Sequence, residues 1–186
     1  MNKLDKKYVK ILISEAVILA GMLTLDLITK KLAADFLVDK PGRSYEVIRN
    51  ILLFTYSENT GAGFSMLSGN RRLLLVLTGV MCAGIIAYLV INKKDSRVLR
   101  TGILVLLSGA LGNYSDRLFL GFVRDFIEVP LFNIESLNFY YPIFNVADIW
   151  ILTGAITIGI YVVTHLKDNG RGTHRASVKD KAEKNE

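Results

Sequence analysis

Four stretches of the chain are apolar over lengths that a soluble fold seldom offers, running from about Tyr8 to Ile28, Leu73 to Ile91, Val98 to Tyr114 and Asp148 to Leu166. The second, LLLVLTGVMCAGIIAYLVI, holds no charge. At about 1.5 Å of rise per residue it covers roughly the 30 Å hydrocarbon core of a bilayer, and a helix apolar on every side keeps no face for water. Lipid offers backbone groups no partner, so spanning segments are helices or closed barrels, and no run of alternating ten-residue segments suggests a barrel. The pattern predicts an all-α polytopic membrane protein with four transmembrane helices. Charges intrude on three of them: Glu15 and Asp26 in the first, Arg100 at the start of the third, and Asp148 at the opening of the fourth.

Cationic residues orient the spans, because short loops rich in Lys and Arg stay in the cytoplasm. Segments 1–10, 93–100 and 167–186 hold 14 of the 23 Lys and Arg in 38 residues. Both termini are therefore expected inside, and the long connections 30–72 and 117–142, which carry Pro41, Pro130 and Pro142, outside. The net charge of +6 is then topological, with no sign of a nucleic-acid-binding face. Lys3, Lys6, Lys7 and Lys10 ahead of an apolar run imitate a signal peptide, but Glu15 interrupts the run and no small-residue cleavage site follows. Residues 1–166 read as one membrane domain. The last twenty residues, half of them charged, read as a disordered cytoplasmic tail. One cysteine in 186 residues excludes a disulfide-stapled scaffold.

The inventory of reactive side chains narrows the chemistry. His165 and His174 are the only histidines and both fall on the expected cytoplasmic side, so neither a Ser-His-Asp set nor an HExxH zinc site is available outside. Cys82 lies mid-span, where apolar surroundings suit packing better than nucleophilic attack. Ser65 with Lys30 or Lys31 is a formal Ser-Lys alternative, without a GxSxG to support it. What remains is a set of carboxylates and amides at one membrane face: Asp26 to Lys30, ENTGAGFS from Glu58, GALGNYSDRLFLGFVRDFI from Gly109, and FNVADIW from Phe144.

Asp125 and Asp148 come from different segments and sit beside apolar neighbours. Two close carboxylates do not both ionise cheaply, so one keeps a proton. Such a pair activates water as a base while its protonated member polarises a carbonyl and then protonates the leaving amide. This is aspartic-protease chemistry, with no cofactor and no metal. Structural readings stand beside it. Asp148 suits the first turn of a helix capped by Asn145. Asp116 and Arg117 form an adjacent charge pair able to fix a loop, and Asp125 is able to balance Arg124. Asp26 and Lys30 have the favourable acid-first helical spacing of four. Glu15 shares their face about 16 Å deeper, as either an ion-path residue or a partnered structural acid.

At these four stretches the chain resembles the bacterial lipoprotein signal peptidases, or signal peptidase II. The most specific part is GNxxDRxxxGxVxDF, carried by Gly112, Asn113, Asp116, Arg117, Gly121, Val123, Asp125 and Phe126. It is followed by FNxAD at Phe144, Asn145, Ala147 and Asp148. The NxGAAF segment of the family reads here Asn59, Thr60, Gly61, Ala62, Gly63, Phe64, with Gly63 in place of an alanine. The resemblance implies a four-helix aspartic endopeptidase of the bacterial inner membrane, with a small extracytoplasmic β-cradle and a loop or helix flap. Its substrate would be a diacylglyceryl-modified prolipoprotein, cut just before the lipidated cysteine, and globomycin its inhibitor. Asp125 and Asp148 would be the catalytic pair. Asp26, Lys30, Asn59, Gly61, Asn113, Arg117 and Asn145 would support the site, with Asp116 orienting Arg117. The residues by themselves fit this reading: YEVIRNILLFTY from Tyr45 is rich in strand formers, Tyr140, Tyr141 and Trp150 suit an aromatic belt, and LFNIESLNFYYPIF from Leu131 suits a flap or a membrane-resting loop. An ion-coupled transporter using Glu15 and Asp26 as a relay is the alternative of another class. A scaffold packing through Ser108 and Gly112 is a third.

Overall fold

Long apolar runs free of proline fold here as four helices: α1 (Lys3–Leu37), α2 (Arg71–Ile91), α3 (Arg97–Phe119) and α4 (Val146–Glu183). The structure is a computed structural model that describes the backbone of residues 3–61, 70–92, 94–133 and 139–183, and side chains between residues 6 and 165 within them. Residues 62–65 of the ENTGAGFS segment and 134–138 of the expected flap lie outside the described residues. Pro41 and Pro130 each open a 3-10 turn, Pro41–Arg43 and Pro130–Phe132, positions where a missing N–H is not needed.

The fold is mainly helical with a small sheet. β1 (Ser44–Ile48), β2 (Leu52–Asn59) and β3 (Val123–Glu128) form an antiparallel sheet in that order. β1 and β2 are the predicted strand-rich segment, folded as a hairpin. β3 carries Asp125 opposite Ser57 and Val123 opposite Asn59. An isolated bridge joins Ile127 to Phe144, with Phe144 N donating to Ile127 O at 3.0 Å and Ile127 N to Phe144 O at 2.8 Å. Residue 144 is thereby stitched to the sheet one position before the start of the last helix's cap.

The helices are greasy outward. On α2, Val76, Val80, Met81 and Ile91 are all more than 60% exposed, whereas only Leu74, Cys82 and Leu89 are buried. A water-soluble helix would reverse that arrangement. α1, α2 and α4 are long and apolar enough to cross a bilayer. α3 falls short by composition because it sits inside, packed on the other three helices, and trades apolar surface for small and polar side chains. Its buried set includes Arg100, Gly102, Ser108, Gly109, Gly112, Asn113 and Asp116. Cys82, Leu89, Leu104 and Leu107 form the apolar core between α2 and α3, so Cys82 packs. The helical backbone of α4 continues to Glu183 through the segment whose composition predicts disorder; Ala176, Lys179, Lys181 and Ala182 are good helix formers.

At the end of the bundle away from the sheet, Glu15 takes the Arg100 fork at 2.8 and 2.7 Å, and the same guanidinium donates to Leu89 O and Asn92 O. Tyr8 donates its hydroxyl to Leu89 O at 2.7 Å. Glu15 is thus a partnered acid that, through Arg100, ties α1 to α3 and to the end of α2.

Between α3 and α4 the backbones nearly touch. A Cβ on Gly154 would lie 2.5 Å from Leu106 N and 2.6 Å from Gly102 O. Backbone cannot yield as a side chain does, so Gly154→Ala should cost about 1–3 kcal/mol by overpacking. A lower thermal midpoint for the detergent-purified variant would register the loss; an unchanged midpoint would contradict this packing.

Candidate active site

Lys30 is the anchor of the polar cluster. One turn after Asp26 on α1, it is fully buried, as is Asp26, and it donates to Asp26 Oδ2 and to Asn113 Oδ1, both at 2.8 Å. An ammonium ion is stable there only because these acceptors, with Asp116 Oδ2 at 3.8 Å, surround it. The expected four-residue pair between Asp26 and Lys30 is present. The second oxygen of Asp26 accepts Ala147 N at 2.9 Å, an unpaired donor of the first turn of α4.

The contact from Lys30 decides which way the amides point. Because Asn113 Oδ1 receives Lys30, its Nδ2 faces α4 and donates to Asp148 Oδ1 at 2.8 Å. Asn113 Oδ1 also receives Asn145 Nδ2 at 3.1 Å, and that amide donates to Asp125 Oδ1 at 2.6 Å. Asn145 N donates to Asp148 Oδ2 at 3.0 Å while Asp148 N donates to Asn145 Oδ1 at 3.1 Å, a reciprocal box that starts α4. The capping reading of Asp148 and Asn145 is therefore correct as local structure. It leaves Asp148 Oδ1 and the whole Asp125 carboxyl to the cluster. Asn145 touches both aspartates.

The sheet supplies the remaining wall. At the end of β2, Asn59 donates to Asp125 Oδ2 at 3.0 Å and accepts Gly61 N at 3.0 Å, a local Asx turn. Gly61 O accepts Arg117 Nη2, and Arg117 Nη1 reaches Asn113 O at 3.4 Å. The expected orientation of Arg117 by Asp116 is corrected here, and the structural alternative that pairs Asp125 with Arg124 falls with it. Asp116 orients not Arg117 but Arg124, accepting its Nη2 at 2.7 Å, its Nε at 3.1 Å and its backbone N at 3.0 Å. Arg124 is consequently not the counter-charge of Asp125. The reason is strand alternation: consecutive residues on β3 face opposite ways, so Arg124 turns toward the end of α3 as Asp125 turns into the cluster. Sequence adjacency in Asp116-Arg117 and Arg124-Asp125 concealed both facts.

Asp125 and Asp148 line one cavity of about 400 Å³ with Asn59, Asn113 and Arg117, and with an apolar remainder that includes Leu74, Ile143 and Phe144. The apolar members carry no chemical signature in sequence and were not anticipated. Asp125 is 2% exposed, and Arg117 Nε is buried without a hydrogen-bond partner. Polar groups of known direction thus meet one greasy wall, as in sites for largely apolar ligands.

The comparisons with known proteins agree with the motifs. Residues 18–164 match the family of signal peptidase (SPase) II. The chain belongs to the signal peptidase II family. A lipoprotein signal peptidase of Clostridium novyi is 38% identical over 149 residues, covering 80% of this chain and 97% of the relative. One of Staphylococcus haemolyticus is 35% identical over 167 residues, covering 89% and 97%. A solved structure described as a bacterial membrane enzyme superposes with a TM-score of 0.72 at 30% identity, covering 83% of this chain and 90% of the other. This signal peptidase II is accordingly a membrane protease of signal-peptide processing.

Burial pushes the Asp125 carboxyl of the peptidase up to about 6; the amide of Asn59 opposes this, the charge of Asp148 adds to it, and Asn145 and Lys30 oppose it. The ordinary value is 3.8. A carboxyl raised on folding lends stability in full below its unfolded value and loses it as pH rises through the folded one. Between pH 4 and pH 7 the peptidase should therefore lose up to about 3 kcal/mol through this group. Thermal midpoints across that window should fall more steeply for the native chain than for Asp125→Asn. Asn59→Ala, which removes a donor to the carboxylate, should move the fall to higher pH, and a shift to lower pH would refute the assignment of that hydrogen bond.

Proposed function

We propose that this chain is an aspartic endopeptidase that removes the signal peptide from diacylglyceryl-modified prolipoproteins by cutting before the lipidated cysteine. The observation that carries the reading is that Asp125 and Asp148 line one cavity and share Asn145 as a common donor. In this reading Asp125, the more buried of the two and the one whose carboxyl burial raises, is the member of the pair that takes up the shared proton. Asp148, steadied by Asn113 and by its capping box, takes a proton from the attacking water. The protonated partner polarises the scissile carbonyl, and the proton then passes to the leaving amide nitrogen. No metal or cofactor enters these steps.

The other polar residues have supporting roles. Asn145 keeps the two carboxyls in register, Asn113 aims Asp148, and Lys30 with Asp26 fixes Asn113 against the start of α4. Asn59 and Gly61 join the strand end to Arg117, whose free buried Nε suits a carbonyl of the substrate backbone. Asp116 supports the wall through Arg124. All four helices cross the inner membrane, α3 shielded by its neighbours. Both termini lie in the cytoplasm and the sheet forms an extracytoplasmic cradle at the lipid interface. A substrate anchored by acyl chains arrives within the bilayer plane, so a dyad at the interface meets its cysteine. The apolar side of the cavity suits that lipid or globomycin.

The test is cleavage of a lipidated prolipoprotein by purified enzyme. Asp125→Asn and Asp148→Asn should each lower kcat by at least about 10²–10⁴-fold, with thermal midpoints showing that both variants stay folded. Near-normal turnover by either folded variant would remove that residue from the dyad.

A further inference from the structure

A second cleft, of about 490 Å³, opens at the opposite end of the bundle between α1 and α3. Its walls divide by chemistry. Ile11, Ile18 and Leu104 give an apolar crevice, while Lys7, Arg97 and Thr101 give a polar rim. Five charged side chains line it, but they are not equivalent. Glu15 and Arg100 neutralise each other in their fork, and Asp95 offsets only one of the two cations left. Among the described residues, Lys7 and Arg97 take part in no ion pair, and both are exposed. Arg97 also stands in the first turn of α3, which has no acidic residue, where the helix dipole disfavours a cation. Lys6, Lys10 and Lys94, exposed on the adjoining turns, add charge of the same sign. The fork between Glu15 and Arg100 ties α1 to α3 at this cleft, so the concentration of charge is built into the fold.

We propose that this cleft binds an anionic phospholipid of the surrounding leaflet. The phosphate sits at Lys7 and Arg97, the Thr101 hydroxyl donates to the headgroup, and one acyl chain lies along the crevice between α1 and α3. A basic pocket between membrane helices with an apolar floor has the chemistry of an anionic lipid headgroup site. A zwitterionic lipid supplies the same chain but a headgroup cation that Lys7 and Arg97 repel. The inference depends on the chain lying in a membrane and is independent of the Asp125 and Asp148 dyad.

The test uses the full chain in detergent, with native mass spectrometry of added phosphatidylglycerol, phosphatidylcholine and water-soluble glycerol phosphate. Phosphatidylglycerol should be retained at least about tenfold more than phosphatidylcholine. Lys7→Ala with Arg97→Ala should abolish that preference, and Lys31→Ala with Lys40→Ala, which removes equal charge at the sheet end, should preserve it. Should the alanine pair fold poorly, Lys7→Arg with Arg97→Lys keeps the charge and should keep the preference. Equal retention of the two lipids, or an alanine pair that still prefers phosphatidylglycerol, overturns the proposal. Glycerol phosphate bound as tightly as phosphatidylglycerol overturns it in favour of a site for solution anions.

Discussion

A single buried ammonium ion organises the polar cluster at the sheet end of this peptidase. Lys30 has no exposed surface, and its position is tenable only while Asp26 and Asn113 accept its protons. The dependence runs in both directions. Without the cation, Asp26 would lose its counter-charge in the protein interior, and Asn113 Oδ1 would keep only the donor from Asn145. With it, Asn113 presents a donor to Asp148, and Asp26 presents its other oxygen to the first turn of α4. Such a network is of doubtful net value to stability, since an apolar replacement often does as well. Its contribution is directional: it gives each carboxyl a defined set of donors.

The bilayer explains why that network lies where it does. Side chains that face lipid gain little from packing inward, so the outer surfaces of α1, α2 and α4 keep their large apolar residues and the interior is left to small and polar ones. α3 is the extreme case. It holds Arg100 at one end, Asn113 and Asp116 at the other, and glycines and a serine between them. Both ends are tied by ions, Arg100 to Glu15 and Asp116 to Arg124, and the middle is held by close backbone approach to α4. Polar interactions thus fix the register of this helix, and apolar contact fixes its distance from its neighbours.

Much of this was legible in the chain. The helices announced themselves as apolar runs, the spacing of Asp26 and Lys30 placed them one turn apart, and the box of Asn145 and Asp148 was readable as a helix start. Strand formers around Tyr45 to Tyr56 foreshadowed the hairpin, although β3 was hidden because its residues also serve the motif. Adjacency in sequence misleads at two places: it suggests Asp116 with Arg117, and Arg124 as a structural partner for Asp125, whereas helical rotation and strand alternation send neighbours apart. The pairing of Glu15 with Arg100 spans 85 positions. Only their opposite signs within apolar runs hinted at it. The apolar cavity wall left no mark at all, since Leu74 or Ile143 looks like any other packed residue until the helices are assembled.

The bridge between Ile127 and Phe144 separates two kinds of variation. Asp125 lies two residues before one end of this bridge and Asn145 one residue after the other, so their relative placement is set across a pair of backbone hydrogen bonds and not along the intervening chain. The segment between is, in effect, a closed noose whose knot sits beside the cavity lined by Asp125 and Asp148. Its circumference can grow or shrink without moving the knot, because lengthening an already closed loop costs little. A change of length in that segment should therefore leave Asp125 and Asn145 in register with one another.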